Sequence, residues 1–423
     1  MFHSIPPIVK AIMPSALVVL VCLSLAVVVP IDWISHQTLT AIVFVALIVL
    51  GLLSLRFKFT EIFFASLIMT LVCWLYAIFD APNAQRFQLY FLFQVTSVTV
   101  PIGLLWASFG HRLSLRSPKL LPFYWFILAQ LLTLPILFNG FWGYLPPETH
   151  HSLLLWLGGV ISGDFLLGPD IASHNAFSGL ATMLAFAVMF YQFVKQQRPE
   201  QVLLLGLLFS FYLITLSPEN RHLVMFLLVA ASSIIALGLT QAIHRLAFFD
   251  ELTNVPSRRS LDYDMRSLTA PYAIGVLDID HFKRLNDTYG HDVGDQVLKM
   301  VAKKLTMLGA AASVYRYGGE EFVILFQGKN KTWASYFAEA LRGEIANSDF
   351  VIRSSHRPES VSEEKQHQLR QLNQRTHKSV QVTVSIGLAD DGDAAHPLDV
   401  QKRADEQLYK AKEQGRNCTV IAP

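Results

Sequence analysis

Two carboxylates stand side by side at Glu320 and Glu321, at the tip of Val314-Tyr-Arg-Tyr-Gly-Gly-Glu-Glu-Phe-Val-Ile-Leu-Phe326. The paired glycines Gly318 and Gly319 lie between β-branched and aromatic runs. This pattern predicts strands Ser313–Tyr317 and Phe322–Phe326 joined by a tight turn that needs positive φ. A plain hairpin does not require acids at its tip. Carboxylates crowded on a rigid turn repel each other, which points to a cation or to a proton-transfer task. A second acidic strand end lies upstream, in Ile274-Gly-Val-Leu-Asp-Ile-Asp280. With Asp278 beside Glu320, the pair would form an oxygen-rich site suited to magnesium carrying a nucleoside triphosphate.

The elements that must position these acids are legible around them. Leu261–Leu268 reads as a helix and Tyr272–Ile279 as a buried strand. His291–Leu308 is an amphipathic helix with apolar residues at 293, 297, 298, 301 and 305. A helix at about 331–346 follows the hairpin. Val380–Ile386 alternates as a strand, Asp399–Glu413 is helical, and Asn417–Ile421 closes as a strand. This order predicts an α/β sandwich, with helices against a mainly antiparallel sheet. Residues 354–379 are polar with almost no large apolar side chains, and read as a mobile insertion.

The other half of the chain has a different composition. Residues 1–241 hold 18 charged side chains (10 basic, 8 acidic), against 48 in 242–423, split 24 and 24. The first half is therefore expected to be an all-α membrane domain (1–241). A short helical connector (242–249) and a soluble domain (250–423) large enough for its own core follow it. The soluble half carries no net charge, which argues against a general nucleic-acid binder. Cys22, Cys73 and Cys418 lack the spacing of a disulfide framework or a zinc site.

Apolar segments long enough to cross a bilayer run at about 11–29, 39–55, 61–79, 89–109, 120–138, 176–194, 201–216 and 222–241. The first resembles a signal peptide but lacks a small-x-small cleavage site, so an uncleaved helix is expected. Leu153–Leu167 is short, rich in glycine and flanked by prolines. Charge bias decides its placement. With eight spans, Lys10, Arg56, Lys58, Arg112, Arg116, Lys119, Lys195 and Arg198 share one side with the soluble domain, and only Arg86 and Arg221 face the other. Residues 139–175 then form an outward or re-entrant loop. Its His150, His151, Asp164, Asp170 and His174 fit no metal-ligand template, and interfacial histidines are the better reading. Gln94, Thr96, Ser97, Thr99 and Gln130 are read as helix-to-helix hydrogen-bonding groups. The absence of charges deep in the spans argues against an ion-coupled transporter. The last span continues through Gln241–Phe249 with almost no linker, a connection stiff enough to transmit rotation or dimer geometry.

Residues 250–423 resemble the GGDEF domain of diguanylate cyclases, a bacterial signalling family associated with biofilm. The resemblance rests on Asp250-Glu-Leu-Thr253 with Arg258-Arg259, Asp278-Ile-Asp-His-Phe-Lys283, Asn286-Asp287 and Gly290-His-Asp-Val-Gly-Asp295. It continues in Arg316-Tyr-Gly-Gly-Glu-Glu-Phe322, Val382-Thr-Val-Ser-Ile-Gly387, and Ala404–Lys412 with Gly415-Arg-Asn417. It implies a palm-like nucleotidyl cyclase fold and the condensation of two GTP into cyclic di-GMP. Two paired catalytic domains would each hold one GTP, so the active unit would be a homodimer.

By the same resemblance, Asp278, the Ile279 carbonyl and Glu320, with Glu321 close by, hold magnesium or manganese. Glu320 also helps to deprotonate the 3′-hydroxyl. Asn286 and Asp295 read guanine, while Lys283, Lys412 and Arg416 neutralise the β- and γ-phosphates and His291 lies near the substrate. Gly318 and Gly319 let the backbone approach the substrate. Taken singly, Asn286 is equally a turn cap, Asp295 a first-turn helix residue and Lys412 a solvated helix residue. Arg316 has no assigned role. The membrane half resembles the multi-span sensors joined to such cyclases. That implies a multi-pass protein of the bacterial inner membrane, in contact with lipid, with its catalytic domain cytoplasmic and an unidentified input ligand or partner.

One departure matters. The family's allosteric product site uses Arg-x-x-Asp shortly before the glycine pair, and here those positions are Gly309 and Ala312. Two competing readings stand beside the cyclase. A catalytically silent nucleotide- or protein-binding module is disfavoured by the retained Asp278, Glu320, Asn286, Asp295, Lys412 and Arg416. A transporter with a regulatory domain is disfavoured by the lack of buried charge.

Overall fold

Two compact units make up the chain, Met1–Ile243 and His244–Pro423. The computed structural model describes residues 7–28, 36–79, 86–109, 117, 120–125, 127–128, 176–196, 198–216, 220–307, 312–351, 379–392 and 396–423.

The first unit is helical. Its helices are α1 (Pro7–Val28), α2 (His36–Arg56), α3 (Thr60–Phe79), α4 (Arg86–Phe109), α5 (Ala176–Gln196) and α6 (Pro199–Leu216). Then α7 (Arg221–Phe248) carries the chain past Ile243 without a break. Among the described residues, four helices are long and apolar enough to cross a membrane: Gln37–Arg56, Thr60–Ala77, Ser178–Lys195 and Arg221–Phe248. Pro14–Leu25, Val95–Phe109 and Glu200–Leu216 are shorter apolar helical stretches. The eight expected spans are thus matched by four full-length ones. The span at 120–138 is described only in its first residues. The loop 139–175, with Leu153–Leu167, His150, His151, Asp164, Asp170 and His174, lies outside the described residues.

The bundle separates inner from outer helices. About two thirds of the spanning stretch of α3 (67%) is buried against protein, but only 28% of that of α2. The outer faces present Ile42, Val45, Leu52, Leu180, Met183 and Leu184. Such a surface favours association in water but needs no cover in hydrocarbon. Hydroxyls tie helices together: Ser66 Oγ donates to the Leu47 carbonyl at 2.5 Å, and Ser178 Oγ to the Ser97 carbonyl at 3.2 Å. This is the role expected of small polar residues inside spans.

The second unit is built on a five-stranded sheet in the order β2-β3-β1-β6-β7. Its strands are β1 (Tyr272–Ile279), β2 (Ser313–Gly318), β3 (Glu321–Gln327), β6 (Val384–Asp390) and β7 (Thr419–Ile421). All neighbours are antiparallel except β6 and β7. Every residue of the central β1 is buried, and period-2 alternation sends its side chains to two cores. Ala273, Leu277 and Ile279 join Phe322, Ile324 and Phe326 of β3 on one face, under α10 (His291–Thr306) and α11 (Lys331–Ala346). Ile274 and Val276 join Val323 and Leu325 on the other, under α8 (Arg258–Met265) and α12 (Pro397–Glu413). Helices on both faces close the sandwich.

Some details differ from the sequence pattern. Val380–Ile386 is not one strand. It divides at Val382-Thr383 into β5 (Ser379–Gln381), which among the described residues pairs only with β4 (Asp349–Val351), and β6 of the main sheet. A helix, α9 (Phe282–Tyr289), follows β1 where the sequence pattern gave no element. The hairpin turn is Gly319-Glu320 rather than the two glycines: Gly318 already pairs with Glu321, after a register shift between Arg316 and Gly318. The proposed insertion lies outside the described residues except for Ser379.

Candidate functional site

Antiparallel pairing brings the two acidic strand ends together. Asp278, near the end of β1, sits opposite Glu321, the first residue of β3. Pairing with β3 stops there, while β1 continues one residue further against β6, as Ile279 opposite Val384. Glu320 occupies the turn just before, where Gly319 has φ +23°. Lys412 of α12 reaches over the strand end, and its Nζ lies 2.9 Å from Asp278 Oδ1.

Burial and mutual repulsion leave their mark on these acids. The Asp278 carboxyl is pushed above its ordinary pKa by burial, which outweighs the lowering by Lys412 and is reinforced by Asp280. Glu320 and Glu321 are each raised by burial and then by the charge of Asp278. Three acids with raised pKa values around one lysine form a site short of positive charge. No group of three or more His, Cys, Asp or Glu among the described residues is arranged to hold a metal by itself. The donor set nevertheless suits a hard divalent cation that takes one or two carboxylates and completes its shell with substrate oxygens and water.

Asp280, two residues on, does different work. It is 8% exposed, and its carboxylate accepts from Ser385 Oγ and Thr383 Oγ1, both at 2.7 Å, and from the Asn417 N–H at 3.0 Å. Its own N–H donates to the Thr383 carbonyl. It anchors the end of β1 to the break between β5 and β6. Sequence reasoning assigned Asp280 no role, although an acid at i+2 from Asp278 and a lone serine in the buried run Val384–Leu388 were signals of such a pair.

Arg316 acquires a role as well. Its Nη1 pairs with Asp250 Oδ1 at 2.8 Å, while Nε and Nη2 donate to the Gly319 carbonyl at 3.2 and 2.7 Å. Burial opposes ionisation of Asp250, but hydrogen bonds from Thr253 and Arg316 hold its pKa below the ordinary value. The first residues of the domain are thereby tied to the turn that presents Glu320.

A second corner lies on α9 and α10. The Asn286 side chain packs against Gly294, where an added Cβ would fall 1.9 Å from Asn286 Oδ1. That oxygen is buried and has no hydrogen-bond partner among the described residues. Asp295, the next residue after Gly294, is exposed, as are Lys283 and His291. No hydrogen bond or ion pair among the described residues joins these three to the acidic cluster. Arg416 is exposed on the turn after α12 and close enough to Asp278 to lower its pKa. Gly318 and Gly319 border the acids, and a Cβ on either would meet no close neighbour.

Comparison with known proteins identifies the C-terminal domain. The model for "Diguanylate cyclase, GGDEF domain" matches residues 247–364 and 354–418. Residues 247–418 are a GGDEF domain. Among relatives, the response regulator PleD of Caulobacter vibrioides is 35% identical over 184 residues, covering 41% of this chain and 36% of that protein. The diguanylate cyclase VdcA of Vibrio cholerae is 36% identical over 177 residues, covering 40% of this chain and 46% of VdcA. The chain therefore spans less than half the length of these two relatives. The coiled coil and GGDEF domain of DgcB from Caulobacter crescentus, solved with c-di-GMP, is 28% identical with a TM-score of 0.39, covering 49% of this chain and 100% of that one.

Proposed function

We propose that this chain is a diguanylate cyclase held in a membrane by its N-terminal helices. Two GTP would be condensed to cyclic di-GMP and two pyrophosphates. Each 3′-oxygen forms a bond to the α-phosphorus of the other nucleotide, the α–β anhydride bond breaks, and pyrophosphate leaves with the bonding electrons. The observation that carries this reading is the pairing of Asp278 with Glu321 across β1 and β3, with Glu320 in the adjoining turn and Lys412 on Asp278.

Asp278, the Ile279 carbonyl and Glu320, with Glu321 adjacent, would hold magnesium or manganese. When bound, the ion supplies charge stabilisation at the reacting phosphate and lowers the pKa of the attacking hydroxyl. Glu320, its pKa raised by burial and by the charge of Asp278, is suited to take the 3′-hydroxyl proton. Lys412 and Arg416, four residues apart across the end of α12, would meet the β- and γ-phosphates, with Lys283 and His291 toward the same substrate. Asp295 would accept from the guanine N1–H and N2–H2, and Asn286, whose Oδ1 is buried without a partner, would pair with the other edge of the base.

One nucleotide per domain requires two domains, so the working unit is a homodimer. The membrane half, as eight spans in the bacterial inner membrane with both termini cytoplasmic, would govern that pairing in response to a ligand or partner. Product analysis tests the reaction. Full-length protein given GTP and magnesium should yield cyclic di-GMP and pyrophosphate. Binding of GTP without any product would instead favour a silent receptor module.

A further inference from the structure

The turn that carries Arg416 is held by Asn417, through bonds to Asp280 and Arg342. Gly415, Arg416 and Asn417 all have positive φ, at 106°, 65° and 48°. Two consecutive non-glycine residues in the left-handed region are unfavourable unless their surroundings hold them there. Both the backbone and the side chain of Asn417 are held. Its N–H donates to Asp280 Oδ2 at 3.0 Å, and its Oδ1 accepts from Arg342 Nη1 at 2.5 Å. Arg342, on α11, is oriented by the Glu339 carboxylate, which receives hydrogen bonds from its Nε and Nη2. Glu339 in turn accepts from Thr419 Oγ1 at 3.0 Å.

One line of bonds therefore runs from α11 through the Arg416 turn to Asp280. Asp280 lies two residues beyond Asp278, where Lys412 is paired. The Glu339 side chain is 52% exposed, and exposed ion pairs contribute little to stability. What a planar guanidinium fork does supply is fixed geometry.

We propose that Arg342 is a positioning residue for triphosphate recognition, acting through Asn417 to fix Arg416 relative to the acidic end of β1. This rests on reading Arg416 as a phosphate ligand. Arg342 itself touches no substrate, and the sequence motif that includes Arg416 and Asn417 does not include it.

The test measures binding of two probes, α,β-methylene-GTP and GMP, to full-length protein in nanodiscs with magnesium. Arg342→Ala should weaken the triphosphate about five- to tenfold and leave GMP within twofold, because only the phosphate-end contact loses its alignment. Asn417→Gly, which keeps the left-handed backbone accessible but removes the acceptor, should reproduce that pattern without disturbing α11. Arg342→Lys, which keeps a donor but not the fork that holds Glu339 and Asn417 together, should fall between the parent and Arg342→Ala. In an Arg416→Ala background, Arg342→Ala should add nothing further to the loss. Equal weakening of both probes, or effects that multiply in the double variant, would show that Arg342 only supports the fold and would overturn the proposal. A different failure, an unchanged triphosphate-to-GMP ratio in Arg416→Ala alone, would remove the phosphate role of Arg416 on which it rests.

Discussion

At the scale of single residues, the acids around Asp278 combine function with a stability cost. Glu320 and Glu321 have raised pKa values in the fold, so their ionised forms are disfavoured relative to the unfolded chain. Stability from these groups is therefore fullest below the unfolded carboxylate pKa and falls as pH rises through the higher folded values. Glu320→Gln should remove that repulsion. Without divalent metal its Tm should equal or exceed that of the parent at neutral pH, while kcat should fall by about two or more orders of magnitude. A variant that still forms product at near-normal rate would refute the assignment of Glu320. Gly294 allows a second test. A Cβ there would fall 1.9 Å from Asn286 Oδ1, so Gly294→Ala must displace the side chain proposed to read guanine. Preference for GTP over ATP should drop about tenfold or more, with little change in the magnesium dependence. Undiminished selectivity would detach Asn286 from base recognition. The acids of this site were legible in sequence because charge at a strand end has no packing explanation. Asp280 and Arg342 were not, because their meaning lies in partners 105 and 75 positions away.

At the scale of elements, periodicity located what repeats and missed what is irregular. β1 and α11 agree with their patterns because a buried run interrupted only by Gly275 and Asp278, or a sustained 3.6-residue stripe, leaves one favourable placement. The strand at Val380–Ile386 does not, because alternation continues across a break that only the Asp280 bonds to Thr383 and Ser385 reveal. The helix α9 was hidden by its polar composition and by its entry through His281 at φ +55°. The way α12 meets the sheet was also not legible. It depends on Gly387, where a Cβ would lie 2.1 Å from the Ala404 carbonyl oxygen and 2.2 Å from the Leu408 nitrogen. Both are backbone atoms and cannot rotate away, so Gly387→Ala must push α12 outward and carry Lys412 from Asp278. We expect a loss of about 3 kcal/mol, at the upper end for an overpacked site, and a Tm lower by several degrees. Gly343→Ala is the natural contrast. It lies in α11 with open space around it and should be neutral or slightly stabilising. Equal Tm values for the two variants would show that α12 does not rest on Gly387.

At the scale of the whole molecule, the charge bias of the N-terminal half and the missing cations of the C-terminal half each make a prediction. Lysines and arginines near the ends of the apolar helices favour one side of the membrane. A reporter fused after Thr149 should therefore behave as periplasmic and one after Gln196 as cytoplasmic. Agreement between the two would rule out eight spans. Regulation by product follows from chemistry the chain lacks. Cyclic di-GMP carries two phosphates, and tight capture on an exposed surface needs fixed guanidinium forks together with an acceptor for the guanine edge. Gly309 and Ala312 supply neither of these. Product should then slow the reaction only by competing for the active site, where saturating GTP displaces it. Initial rates at saturating GTP should stay flat as cyclic di-GMP is raised well into the micromolar range, leaving the membrane half and domain pairing as the controls on output. A non-competitive inhibition constant below about 1 μM, equivalent to more than roughly 8 kcal/mol of binding, would demand a built site elsewhere. Arg357, Arg370 and Arg375 of the polar segment would be the first residues to replace in searching for it.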